Sequence, residues 1–301
     1  MAAMRFAVLL LFATNAAAYV RTTSDTTGTP LFWGVRCVVV QPDIRGSQDL
    51  DIDTISSTLD QATRNWSSRI DACSSMRLSA VPPGTIPPAA ISARQDDIHA
   101  VQFRDATWDD DPSIIAKTTV WHLDAPGNPD DGLIFDADIK LNGVGYTFVV
   151  EPSTVTPRSG TVVADLENTL THELGHVLGL GHTCWDHITD TPPLDNTGNP
   201  IPDCGDPTLP ATILDATMYP YSLMPGDTAK RSLTDDDVAG ICQPYPPSST
   251  ATCSPWIRGG CSLGGARPEG AWLLAGLVFC VMKRRWRRRS LLAARGSSDA
   301  S

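Results

Sequence analysis

Eleven residues past the middle of the chain constrain it more than any others. They are His172-Glu173-Leu174-Gly175-His176-Val177-Leu178-Gly179-Leu180-Gly181-His182, the pattern H-E-x-x-H-x-x-G-x-x-H. Two histidines four apart share one face of a helix, so both rings can reach one metal ion. Glu173 follows the first of them and projects beside the metal. Gly179 lets the chain leave the helix in a conformation that costs little only for glycine. That turn brings His182 round as a third ligand. Three neutral imidazoles on a tetrahedral ion leave one position open for water, the layout of a catalytic rather than a structural zinc. The plainer alternative is a buried helix that happens to carry histidines. It fits poorly, because three of only six histidines fall in this stretch.

The 301 residues are enough for one large domain or two small ones, and both ends subtract from that. Residues 1–18 carry one Arg, an apolar Leu/Phe/Ala run and Ala16-Ala17-Ala18, and read as a secretory signal peptide. Residues 271–282 are apolar and 283–289 almost entirely basic. A dozen apolar residues span only about 20 Å as a helix, short of the ~30 Å hydrocarbon core, so a sorting or anchoring tail fits better than a stable transmembrane helix. Residues 283–301 hold seven Lys/Arg and one Asp, a charge of +6, so the whole-chain charge of −11 leaves −17 on the remainder. So acidic a body argues against nucleic acid as a partner, and the basic run suits the cytoplasmic flank of a membrane segment. Membrane contact is expected through this tail alone, and the body is expected to be a monomer.

Eight cysteines behind a signal peptide point to disulfides in an oxidising compartment. Cys280 sits in the apolar tail, and Cys261, in Gly259-Gly260-Cys261, is a candidate processing or modification site. The other six, Cys37, Cys73, Cys184, Cys204, Cys242 and Cys253, are the disulfide candidates. A Cys37–Cys73 bridge would tie a helix end to the first strand and contribute roughly 4 kcal/mol in the chain-entropy model. A Cys184–Cys204 bridge would contribute roughly 3 kcal/mol and hold a loop launched two residues after His182.

Along the chain, residues 19–30 read as a flexible lead-in, and Val35–Val40 as a first strand. Ile52, Ile55, Leu59, Ala62, Trp66 and Ile70 mark an amphipathic helix. Asp49, Asp51 and Asp53 before it are better read as caps than as a metal loop. Ile98–Phe103, Ile115–Leu123 and Leu133–Leu141 read as further strands. Asp109-Asp110-Asp111 offers oxygens of the kind Ca²⁺ takes, but a solvated acidic turn is the stronger reading. The spacing predicts a helix over Thr161–Gly179 and a short capped helix over Ser232–Cys242. Residues 247–270 form a linker.

Two further stretches refine the reading. Ala216-Thr217-Met218-Tyr219-Pro220 is similar to the Met-turn of the metzincin metallopeptidases. Leu233-Thr234-Asp235-Asp236-Asp237-Val238-Ala239-Gly240-Ile241 is similar to the last helix of their matrixin branch. Asp165-Leu166 ahead of the zinc motif also fits that branch. Thr183 stands close to the matrixin Ser after the third histidine. Pro220 occupies the position where astacins carry a Tyr ligand. The resemblance covers roughly residues 31–246. It implies an α+β zincin: a twisted, mostly parallel five-stranded sheet with one antiparallel edge strand, an active-site helix, an upper subdomain over 31–182 and a lower one over 183–246. It implies Zn²⁺ on His172, His176 and His182, Glu173 as general base, and Met218 as a floor under the ligands. It also implies a substrate-pocket wall near Tyr219, Pro220 and Tyr221, with Leu133–Leu141 as the sheet edge nearest the cleft. The family's cysteine switch is missing, and Pro220-Tyr221-Ser222 shifts the pocket Tyr by one. His99 and His122 are isolated and read as surface or packing residues. The pattern is nearest to secreted bacterial matrixin-like proteins, and the tail resembles myxobacterial surface-sorting signals.

The expected activity is hydrolysis of peptide bonds in extracellular or surface proteins by a protein secreted or held at the cell surface. Two other classes compete. One is a zinc-bearing but idle surface adhesin, which would have no chemical need for Glu173. The other is a metal-free disulfide domain, which metal analysis would identify.

Overall fold

The computed structural model describes residues 19–86, 93–152 and 155–247, together with the backbone of 296–300. The elements run β1 (Phe32–Trp33), β2 (Cys37–Pro42), α1 (Ile52–Ile70), β3 (Arg77–Ala80), β4 (His99–Phe103), β5 (Ala116–His122), β6 (Leu133–Leu141), β7 (Tyr146–Val149), β8 (Val162–Asp165), α2 (Leu166–Val177), α3 (Ala211–Leu214), α4 (Asp235–Cys242) and β9 (Gly296–Ala300). This is an α+β chain with a mostly parallel sheet and few helices.

α1 starts where Asp51 accepts the Thr54 N–H, a helix cap and not a metal ligand. Asp49 instead pairs with Arg158 at 2.6 Å and accepts the Phe148 N–H. The apolar stripe Ile55, Leu59, Ala62, Trp66 and Ile70 is buried, as spacings of three and four residues demand. Trp66 also donates its indole N–H to the Thr171 carbonyl of α2 at 2.8 Å, which fixes the two helices together. Val38, Val40, Val101, Val120, Ile139 and Leu141 of the sheet share one core with the inner faces of both helices.

The main sheet has the order β3-β2-β4-β6-β5-β9, with β1 also on β6. β2 pairs with β3 and with β4, and β6 with β4 and β1, all in parallel; β5 runs antiparallel to β6. Three expectations change here. The sheet has seven strands rather than five. Leu133–Leu141 is interior, flanked by β4 and β5, so it is no edge. The antiparallel strand beside α2 is β5, and its outer row is taken by β9, also antiparallel. An unpaired row of N–H and C=O groups is a template for another strand, and the backbone of 296–300 supplies one.

The helix expected from Thr161 begins later. Val162 and Val163 favour an extended chain, so Val162–Asp165 pairs with β7, and Asp165 then caps α2 by accepting the Asn168 N–H at 2.8 Å. Arg231 grips the same carboxylate at 2.5 Å and the Val150 carbonyl at 2.7 Å, tying α2 to the chain beyond the Met-turn. The stretch expected as a flexible lead-in lies on the body: Val20 and Arg21 bridge to Asp195 and Leu180, and Tyr19 and Val20 are buried.

The expected Cys37–Cys73 bridge does not form. Cys73 at the end of α1 joins Cys242 at the end of α4, and Cys184 joins Cys204. Helix ends that pack together bring the first pair within reach, which no sequence spacing reveals. Cys37 is also disulfide-bonded. Cys253, Cys261 and Cys280 lie outside the described residues, as do the expected signal peptide and the apolar run 271–282. Among the described residues no helix is long and apolar enough to cross a membrane.

Two carboxylates of β6 are fully buried. Asp136 accepts the N–H groups of Asp96 and Asp97 and bonds His99 at 3.0 Å. Asp138 accepts the Ala100 N–H at 2.7 Å, while its other oxygen has no partner. Burial, reinforced by the neighbouring Asp136 charge, pushes the Asp138 carboxyl up to about 9. Its unfolded value is about 3.9. Between those values the folded chain holds a proton that the unfolded chain has released, so the stability this group supports falls as pH rises from about 4 to about 9. Asp138→Asn removes that dependence. In thermal melts from pH 5 to 9, the wild type should lose Tm relative to the variant as pH climbs. A gap that stays constant would show that the carboxyl does not change its protonation on folding.

Candidate metal centre

Burial dictates how α2 presents its ligands, since nearly every side chain of the helix is enclosed. His172 and His176 emerge one turn apart. Between them Gly175 faces Met218 and Trp66: a Cβ at Gly175 would overlap the Met218 sulfur and stand 3.0 Å from the Trp66 ring. Gly179 takes φ +88°, and its N–H returns to the His176 carbonyl at 2.8 Å. The chain reverses there and delivers His182. The Nε2 atom of His176 then lies 3.2 Å from that of His172 and 3.1 Å from that of His182.

The far side of each ring decides what those nitrogens carry. Nδ1 of His172 faces the Thr217 carbonyl at 2.6 Å, and Nδ1 of His176 the Leu180 carbonyl at 2.8 Å. Nδ1 of His182 faces the Asp186 carboxylate at 2.6 Å. All three partners are acceptors, so each Nδ1 carries a hydrogen and each Nε2 a lone pair. Burial holds the pKa values of His172 and His176 well below the usual imidazole range, with the Lys230 charge next in weight at His172 and the His182 charge at His176. Neutral lone pairs this close repel unless a cation sits among them. The donor set therefore fits a metal ion of the zinc type. Among the described residues no other group of three such side chains converges in this way. In the acidic turn considered for calcium, Asp110 pairs with Lys117 at 2.8 Å and Lys140 at 3.1 Å, and Asp111 accepts the Ser113 N–H and hydroxyl.

Glu173 is buried beside the histidines and accepts the Thr118 hydroxyl of β5 at 2.6 Å. Burial pushes its carboxyl up to about 7, against the lowering pull of Thr118 and of Lys230. A carboxyl in that range can take and return a proton near neutral pH. Met218 lies buried beneath the helix. Its N–H and that of Thr217 are both held by Asp237 of α4, at 3.3 and 3.1 Å. Thr234 and Asp237 form a capping box at the start of α4, so one carboxylate starts that helix and clamps the Met-turn. Tyr219 is buried, Pro220 half-buried and Tyr221 exposed, the two Tyr rings edge-on at 5.7 Å. His122 is fully buried with no partner for either ring nitrogen; His99 packs edge-on against Trp33.

Sequence reasoning missed Thr118, Asp186 and Asp237 as members of the site. Asp186, four residues after His182, was legible as a carboxylate within reach of the third ligand. Thr118 was not, because only strand pairing places it against α2. The loop closed by Cys184–Cys204 borders a cleft of about 770 Å³, lined in part by Val20, Arg21, His182, Trp185, Asp186 and Leu194.

No protein-family model matches the chain. The sequence is similar to Metalloendoproteinase 1-MMP of Arabidopsis thaliana, at 37% identity over 90 residues, which are 30% of this chain and 16% of that protein. With the three-histidine group, this similarity supports a metalloprotease relationship.

Gly175 offers a direct check on the packing. Gly175→Ala should destabilise the fold by about 1–3 kcal/mol through overpacking against Met218 and Trp66. Denaturant unfolding with and without added zinc measures both the loss and any weakening of metal binding. An unchanged midpoint would mean that the helix and the Met-turn are not in close contact.

Proposed function

We propose that the chain is a zinc-dependent endopeptidase of the matrixin-like metzincin type, acting on protein or peptide substrates outside the cytoplasm. The observation that carries this reading is the set of three converging, neutral imidazole nitrogens with a buried carboxylate next to them. His172, His176 and His182 would hold the ion. Zinc, when bound, would polarise a scissile carbonyl and lower the pKa of water to about 7.

The protein's own groups supply the rest. Glu173 takes a proton from the attacking water and returns it to the leaving amine. Thr118 fixes the Glu173 carboxylate through one oxygen. Thr217, Leu180 and Asp186 hold the three rings in the ligand tautomer, and Met218 supports the helix from below. The disulfides fit an exported protein. An idle, zinc-bearing adhesin would not require a buried carboxyl held near neutrality.

Casein or a fluorogenic peptide, digested with and without chelator, tests the proposal. Cleavage should stop on chelation and return with zinc. Glu173→Gln should lower kcat/KM by about 10²–10⁴-fold while the protein still binds zinc. Undiminished cleavage by a zinc-loaded Glu173→Gln protein would rule the mechanism out.

A further inference from the structure

The strand that touches the candidate site is β5, and both of its backbone rows are in use. β5 packs on α2, with Ala116, Thr118, Val120 and His122 buried. Thr118 is where strand and site meet. Its hydroxyl donates to the Glu173 carboxylate at 2.6 Å and lies 3.3 Å from the Glu173 carbonyl. β6 pairs with β5 on one side and β9 on the other. β9 runs antiparallel, with Ala300 opposite Thr118, Ser298 opposite Val120 and Gly296 opposite His122. Residues 296–300 thus cross the sheet edge at the register of the residue that holds Glu173.

An extended peptide joins a sheet by main-chain hydrogen bonds to an exposed edge. Of the two ends of the main sheet, β3 is separated from β5 by β2, β4 and β6. The outer row of β5 is therefore the row that could lay a peptide beside Glu173, and β9 fills it. The occupant is poorly made for a permanent strand. It reads Gly296-Ser297-Ser298-Asp299-Ala300, with neither a β-branched nor an aromatic residue. Gly and Asp are depleted in strands, and side chains this small offer little to bury. Main-chain bonds are what such a segment can contribute, and a peptide with larger side chains can replace them.

We infer that residues 296–300 take the strand position of a peptide substrate on β5, so that the chain shields its own metal centre until another strand displaces them. The inference rests on the peptidase reading and adds a regulation of that site. An occupant of this kind competes with substrate for the edge. It raises the apparent KM by reducing the fraction of molecules open to binding, and it leaves kcat unchanged.

The test replaces Ser297 and Ser298 by proline in the full chain. Alternate residues of an antiparallel strand turn their N–H toward the partner, so one of these two faces β5, and proline removes that donor. With a fluorogenic peptide, the zinc-loaded Ser297→Pro/Ser298→Pro protein should show a KM about 10-fold below that of the wild type at equal kcat, as expected on removing a tethered competitor of millimolar effective concentration. Hydrogen exchange should become faster at β5 amides and stay unchanged at β4. Equal KM values, or equal protection of β5, overturn the inference. So does a fall in kcat at unchanged KM, which would mark 296–300 as structural support. If neither protein cuts any peptide, the peptidase reading fails, and binding of fluorescein-labelled Gly-Ser-Ser-Asp-Ala decides the matter. Binding to the proline protein that the wild type lacks supports an occupied edge; equal binding to both, or to neither, sinks it. Should the double variant loosen β4 as well, Ser297→Pro and Ser298→Pro are each tested alone.

Discussion

Three imidazole nitrogens can face one another across about 3 Å only if the opposite nitrogen of each ring gives its hydrogen to something else. Here the Thr217 carbonyl, the Leu180 carbonyl and the Asp186 carboxylate take those hydrogens. The three acceptors come from separate parts of the chain: the Met-turn, the reversal after Gly179 and the start of the disulfide-closed loop. Each depends on other structure in turn. Thr217 is held through Asp237 of α4, Leu180 through the helix end, and Asp186 through a loop pinned by Cys184–Cys204. The site is thus the meeting point of three supports rather than a property of one helix.

The same economy appears below the helix. Gly175 exists as glycine because the Met218 side chain occupies the space where a Cβ would stand. Trp66 fills the neighbouring space and bonds the backbone of α2. Arg231 and Asp165 lock the first turn of α2 to the chain beyond the Met-turn. A helix held at both ends and along its underside has little freedom to move its ligands, which is what a metal site needs from its scaffold.

How much of this could be read from the residues depended on the range of the interaction. α1 was legible almost to the residue, because its apolar stripe and its Asp51 cap are local. Leu133–Leu141 was legible as a strand, but its neighbours were not, because pairing is a tertiary fact. β3, β7 and β8, each four residues long, are too short to show a period, and their pairing with distant strands is what stabilises them. The Cys73–Cys242 bridge spans 169 residues and follows from the packing of two helix ends. At the site, the ligand spacing and Glu173 were plain in the motif. Thr118 and Asp237 were not, since each reaches the centre from a different element.

Zinc binding by the whole chain is the measurement closest to the central claim. Metal-free protein should take up one zinc, and X-ray absorption should find three imidazole nitrogens at about 2.0–2.1 Å with one further oxygen ligand and no sulfur in the shell. His182→Ala should weaken that binding sharply. A protein that binds no zinc, or that binds it through sulfur, would contradict the account.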